Sequence, residues 1–276
     1  MSNRYVEKLK QHRLILVVTP GRSGTKLLAE LMSLVPGVCS EHEPAPYVDN
    51  VWWKTKQDPT IAKTWLVRYK IPTIVTAIER SKSSVYVETS HVLCKGFFEP
   101  LHSLGIDFDI ILLSRDFREV AKSLHSLNNI PMRTRAGRRW LLDPSDEANI
   151  SKLPRPYSQY SDYQLAYWYV LEMSLRQEHY RKLWEKSHNK VVNADMNTLV
   201  SFSEFNKMLV ELDLPQLLDQ EYYKYIETTG IRHNTKTSTK AFMKSKHQVH
   251  DIIDIKKQEL IVLEAINYPG ECSYIR

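Results

Sequence analysis

Leu14-Ile15-Leu16-Val17-Val18-Thr19 is a continuous apolar, β-branched run near the start of the chain. It lacks the polar alternation of a strand with one wet face. It predicts a strand covered on both faces, as in a parallel sheet. A glycine-bearing turn follows at Pro20–Gly24. Then Leu27, Leu28, Leu31, Met32 and Val35 recur at helical spacing until Pro36-Gly37, which ends the pattern. Strand, glycine loop and helix in direct succession are the start of an α/β fold.

The rest of the chain continues the alternation. Ser84–Glu88 and Asp109–Leu113 read as a second and a third strand. The third leads into a helix with Phe117, Val120, Ala121, Leu124 and Leu127 on one face. A long helix with an aromatic face is expected from Asp162 to Trp184, a short strand at Lys190–Asn193, and helices at Phe202–Leu212 and Asp254–Ile266. This order predicts a three-layer α/β/α fold with a central parallel sheet, as one domain over residues 1–276. Two stretches read as irregular: 132–156, a loop or lid with Arg133, Arg135, Arg138 and Arg139, and 228–250. Long loops inside a compact domain are often functional.

Charge and cysteine content narrow the function classes. The 38 Lys+Arg against 32 Asp+Glu leave a net +6. That modest excess fits an anionic ligand at one site better than a nucleic-acid coat. Cys39, Cys94 and Cys272 are scattered and have no C-x-x-C spacing, which argues against a zinc cage or disulfide framework and for a reducing compartment. Met1–Arg13 is too polar for a secretory signal, and the apolar runs are too short to span a bilayer. A soluble, cytoplasmic protein without a membrane span is expected.

Three constellations carry chemistry. The first is Thr19-Pro20-Gly21-Arg22-Ser23-Gly24-Thr25-Lys26-Leu27. A glycine loop between strand and helix turns backbone N–H groups toward one point, and the helix N-terminus adds positive potential, so the loop suits an anion. Ser23 and Thr25 add hydroxyls; Arg22 and Lys26 add charge. The loop is not a Walker A motif, which needs G-x-x-x-x-G-K-[ST]: Thr25 stands where the lysine belongs, and Lys26 follows it. The second is Arg115 at the end of the third strand with Ser123 eight residues on, about two helical turns along. An arginine fork suits phosphate; the plainer reading is a helix capped by Asp116 beside a surface arginine. The third is Ser40-Glu41-His42-Glu43-Pro44. Glu43 is a candidate proton acceptor and His42 its competitor; the plainer reading is a solvated loop.

The first two motifs together resemble those of the sulfotransferases that use 3′-phosphoadenosine 5′-phosphosulfate (PAPS). Their 5′-phosphosulfate loop reads like P-[RK]-S-G-T-T-x-L, and Arg22-Ser23-Gly24-Thr25-Lys26-Leu27-Leu28 is similar to it. Their 3′-phosphate motif pairs an arginine after a strand with a serine eight residues on, as Arg115 and Ser123 stand here. Val191–Met196 looks like a late strand of that family. The resemblance implies a P-loop nucleotide-binding type of fold. It implies PAPS as cofactor, 3′-phosphoadenosine 5′-phosphate (PAP) as product, and no metal. Gly21, Arg22, Ser23, Gly24, Thr25, Lys26 and Leu27 would hold the phosphosulfate. Arg115 and Ser123 would hold the 3′-phosphate, with Arg232 and Lys236 as candidates to close over it. Glu43 matches the family's glutamate-proline carboxylate, and Arg22 and Lys26 would stabilise the leaving charge. The acceptor would be a small molecule, lipid or carbohydrate, not a nucleic acid.

Departures from the family pattern are visible. Gly21 is extra, Lys26 replaces a threonine, and the R-K-G-x-x-G-D-W-K segment is absent. Glu88-Thr89-Ser90-His91 stands where the family has an E-K-S-P-like segment, which makes His91 a weak candidate for substrate contact. Trp52, Trp53 and Trp65 fit an acceptor pocket or a core. The rival readings are a P-loop kinase using ATP and Mg²⁺, against which the swapped Thr25-Lys26 order counts, and a non-catalytic nucleotide-binding protein.

Overall fold

The computed structural model describes residues 2–48, 51–55, 58–229 and 250–269. In chain order, α1 is Ser2–Leu9, β1 Arg13–Val18, α2 Thr25–Met32 and β2 Val38–Glu41. Next come α3 Trp52–Thr55, α4 Pro59–Trp65, a π turn at Leu66–Lys70, α5 Ile71–Ser81 and β3 Val85–Glu88. Then follow α6 Phe98–His102, β4 Asp109–Ser114, α7 Phe117–Ser126, α8 Arg135–Trp140 and α9 Asp162–Trp184. The last elements are β5 Val191–Asp195, α10 Met196–Leu199, α11 Phe202–Glu211, α12 Asp219–Thr229 and α13 His250–Ala265. The chain divides into two compact units, Met1–Ser114 with His179–Ile231, and Arg115–Glu178 with Arg232–Arg276.

The first unit holds the sheet. Five strands pair in the order β2-β3-β1-β4-β5, and all are parallel. Ile15, Val17, Val87, Ile111, Leu113 and Ala194 form one core with Leu27, Leu28 and Leu31 of α2 and Phe205 and Leu209 of α11. The alternate residues Leu14, Leu16 and Ile110 are equally buried, so the central strands are covered on both faces. Each such aliphatic side chain contributes about 1.5–3 kcal/mol. Asp109 fixes the register at the amino edge: its Oδ2 accepts from Arg13 Nη2 at 2.6 Å, and its Oδ1 accepts from the Lys190 N–H at 2.8 Å.

Two readings of the sequence are corrected here. Val38–Glu41, whose Ser40 and Glu41 open the segment with a solvated loop as its plainer reading, is an edge strand, so the strand at Val85–Glu88 is the third in the chain. The stretch 132–156 is not wholly irregular, because Thr134 caps the helix α8 by accepting from the Gly137 N–H at 3.1 Å. A β-carbon on Gly137 would lie 1.8 Å from the Ile130 carbonyl oxygen; only glycine lets this helix pack so closely. Of the second irregular stretch, residues 230–249 lie outside the described residues. Among the described residues no helix is long and apolar enough to cross a membrane.

The helix before β3 was not legible in advance. α4 runs into α5 through the π turn at Leu66–Lys70, just ahead of Pro72 in the first turn of α5. Proline lacks an N–H and cannot close an ordinary helical bond there, and one-turn π bulges are a common remedy. The wide turn carries Lys70 into the interior, where only 2% of the side chain is exposed.

Candidate active site

The sheet topology marks one place for a ligand. From β1 the chain goes to one side of the sheet, and from β4 to the other, since β2 and β5 are the two edges. In open α/β sheets ligands sit at the carboxyl ends of strands where the order reverses in this way. β1 and β4 are adjacent, with Val18 opposite Leu112. The glycine loop begins two residues after β1, and Arg115 is the residue that follows β4 in the chain.

The loop turns sharply through left-handed backbone. Gly21, Arg22 and Gly24 have φ of 79°, 58° and 91°. A glycine turn ahead of a helix N-terminus is a common setting for N–H groups that hold phosphates; here the Gly21 N–H donates to Thr19 Oγ1 at 3.4 Å. Ser23 is wholly buried and donates to the Gly21 carbonyl at 3.0 Å, which braces the turn from inside. Gly24 stands at the N-cap of α2 and Thr25 opens the helix. Lys26 is exposed on the first turn, with its Nζ 3.7 Å from Glu30 Oε1. Positive φ is natural for the glycines and strained for Arg22.

The Glu-His-Glu-Pro segment lies beside this loop, and the link is His91. The imidazole packs on Gly21, where a β-carbon would stand 3.2 Å from His91 Cγ. His91 Nε2 is 3.5 Å from Glu43 Oε1, and Lys95 Nζ is 2.9 Å from His91 Nδ1. The turn that carries His91 and Lys95 is tied down by Cys94, whose thiol donates to the Thr19 and His91 carbonyls, and by Tyr180, whose hydroxyl donates to the Cys94 carbonyl at 3.1 Å. Burial first, then the Lys95 charge and His42, hold the His91 pKa well below the ordinary histidine range. The ring is therefore neutral at physiological pH. Glu43 itself has φ 45°, a left-handed value that costs about 1–3 kcal/mol in a non-glycine residue. His42, the competing base, is exposed and meets Thr89 Oγ1 at 3.0 Å through Nδ1.

A buried polar network supports the segment from below. Glu41 of β2 and Glu88 of β3 are register partners, so two carboxylates would face each other across adjacent strands. Tyr86 Oη stands between them, 2.9 Å from Glu41 Oε2 and 2.9 Å from Glu88 Oε2. Lys70 Nζ pairs with Glu88 Oε1 at 2.8 Å and donates to the Pro44 carbonyl at 3.4 Å. One ammonium thus ties the floor of the sheet to the segment that carries Glu43. Burial pushes the Glu88 carboxyl up, opposed by Lys70, and pushes the Tyr86 phenol up further. Nothing in the sequence singled out Lys70, Tyr86 or Lys95. The one available signal was a glutamate in the buried run Val85–Glu88, which demands a partner.

The second unit holds the other expected site residues. Asp116 caps α7, accepting from the Glu119 N–H at 2.8 Å, so the capping role read for it is present. Arg115 precedes that cap, and Ser123 lies on the buried side of α7 with Val120, Ala121 and Leu124. Arg118 clamps Glu259 of α13 through Nε at 2.8 Å, and the Tyr163 hydroxyl donates to the same carboxylate at 2.6 Å. Of the basic stretch, Arg133 is structural, bound to Asp162 at 2.5 Å and to the carbonyls of Tyr157 and Tyr160. Arg232 and Lys236 lie outside the described residues. Trp52 and Trp65 are core residues rather than pocket walls, and the Trp53 side chain lies outside what is described. Among the described residues no three metal-ligating side chains converge. No protein-family model matches the chain, and a search of curated proteins returns no match.

Proposed function

We propose that the protein is a PAPS-dependent sulfotransferase with a P-loop nucleotide-binding type of fold. The observation that supports the reading is the conjunction of the left-handed glycine turn at Gly21–Gly24 with the Glu43 carboxylate, joined through His91. A phosphate-binding loop alone would serve a binding protein; a strained carboxylate held next to it supplies a base. In the proposed reaction a lone pair of the acceptor oxygen or nitrogen attacks sulfur. The bond from sulfur to the bridging phosphate oxygen breaks, and PAP leaves with that electron pair. The acceptor proton passes to Glu43. Loop N–H groups, with Arg22 and Lys26, stabilise the charge that grows on the phosphate. Arg115 and Ser123 are assigned to the 3′-phosphate on their spacing in the sequence.

Calorimetry with PAP, AMP and ATP–Mg²⁺ tests the proposal. PAP is expected to bind without metal and at least tenfold more tightly than AMP, since one charge-assisted phosphate contact contributes about 1.5–3 kcal/mol. Equal affinity for PAP and AMP would sink the reading. Tight binding of ATP that requires Mg²⁺ would favour the kinase.

A further inference from the structure

The turn after β3 carries two side chains with no part in the transfer step above, His91 and Lys95. Lys95 is buried, with 4% of its surface exposed, and 14% of the His91 side chain is exposed. We propose that they are positioning residues for Glu43: the Lys95 ammonium fixes the imidazole as its Nε2–H form, and that form holds the Glu43 carboxylate oriented beside the glycine loop. This rests on the reading of Glu43 as proton acceptor.

The argument is one of hydrogen counting. An ammonium has hydrogens and no lone pair, so at 2.9 Å it donates and His91 Nδ1 accepts. A neutral imidazole that accepts at Nδ1 carries its one hydrogen at Nε2. Nε2 is the atom 3.5 Å from Glu43 Oε1. Titratable groups that act on the ring include Lys95 of its own turn, and His42 and Glu43 of the segment after β2. With Nδ1 engaged and Nε2 protonated, His91 has no vacant site for another proton. It can neither replace Glu43 as base nor drain the proton that Glu43 takes up. That proton leaves through water, to which 40% of the Glu43 side chain is exposed.

Nuclear magnetic resonance tests the pairing without PAPS. In protein labelled with ¹⁵N-histidine, His91 is expected to show a bare Nδ1 and a protonated Nε2 from about pH 5.5 to about 8. Lys95→Met should abolish the fixed tautomer and let the ring titrate, and Lys95→Arg should restore it. The carboxyl ¹³C signal of Glu43, assigned through Glu43→Gln, should move in His91→Phe, because the contact of Nε2 with Oε1 is lost. Phenylalanine keeps a flat ring against Gly21, and an unchanged urea midpoint checks that the fold survives. If that variant does not fold, the tautomer in Lys95→Met decides. An imidazolium or an Nδ1–H ring at neutral pH would overturn the proposal, as would a Glu43 carboxyl signal unmoved by His91→Phe. A coupled pair in a protein that ignores PAP would sink the sulfotransferase reading alone. PAP binding with an uncoupled pair would sink only the positioning role.

Discussion

Lys70 and Glu88 meet at 2.8 Å with 2% and 1% of their side chains exposed. A buried pair of this kind loses most of its Coulomb gain to desolvation, yet breaking one half leaves an uncompensated charge. Lys70→Met is therefore expected to destabilise the fold by about 3–5 kcal/mol, and Lys70→Met with Glu88→Leu by much less. Urea denaturation of the single and double variants is the check.

The same pair sets a pH dependence. Burial raises the Glu88 pKa in the folded state, against the opposing pull of Lys70. A raised folded pKa means the native protein holds that proton more tightly than the unfolded chain. The resulting stability is full below the ordinary glutamate range and is lost as pH rises through the folded value. Lys70→Met should steepen that loss, because Glu88 then keeps its proton to higher pH. The variant's deficit should be larger at alkaline than at mildly acidic pH in a denaturation series. An equal deficit at every pH would place the titration elsewhere.

Glu43→Gln separates base from scaffold. It keeps the shape and removes the basic electron pair. PAP affinity should stay within a few-fold while kcat drops by about 10²–10⁴. His42→Ala should have a smaller effect, since that ring meets Thr89 Oγ1 rather than Glu43. A dead His42 variant beside an active Glu43 variant would reverse the assignment.

Arg115→Ala should remove most of the preference for PAP over AMP, a loss of about ten- to a hundredfold in PAP affinity. AMP affinity should barely change. Calorimetry on the two ligands gives the answer, and a uniform loss for both would mean that Arg115 does not read the 3′-phosphate.

Gly137→Ala puts a methyl group 1.8 Å from the Ile130 carbonyl oxygen, a backbone atom that cannot step aside cheaply. The expected cost is about 1–3 kcal/mol from overpacking. Limited proteolysis should show earlier cleavage near α8 while the β1–β4 sheet stays protected.

The parts of the fold that bury long apolar runs were readable from sequence. β1, β4 and α9 lie within a residue or so of their expected bounds, because Leu14–Val18, Asp109–Leu113 and Asp162–Trp184 have one plausible partner each, the core. β2 was not readable. Val-Cys-Ser-Glu is short, half exposed and poor in β-branched residues, and it becomes a strand only because β3 offers it a ladder. The site shows the same division. The glycine loop and Glu43 announce themselves by local chemistry, whereas Lys95 reaches His91 through a turn whose geometry depends on Cys94 and Tyr180. Lys70 reaches Glu88 across 18 residues by way of a helical irregularity, which no periodicity reveals.

That irregularity has a consequence for how the chain can change length. Each helical residue turns the next by about 100°, so one deletion between Pro59 and Ser81 would swing Lys70 out of the interior and away from Glu88 and the Pro44 carbonyl. A surface loop absorbs an added residue at small entropic cost. Homologous chains should therefore vary in length around the exposed turn Glu185–His188 long before they vary between Pro59 and Ser81, and a relative that lacks one residue between Pro59 and Ser81 should also lack either the lysine or the glutamate.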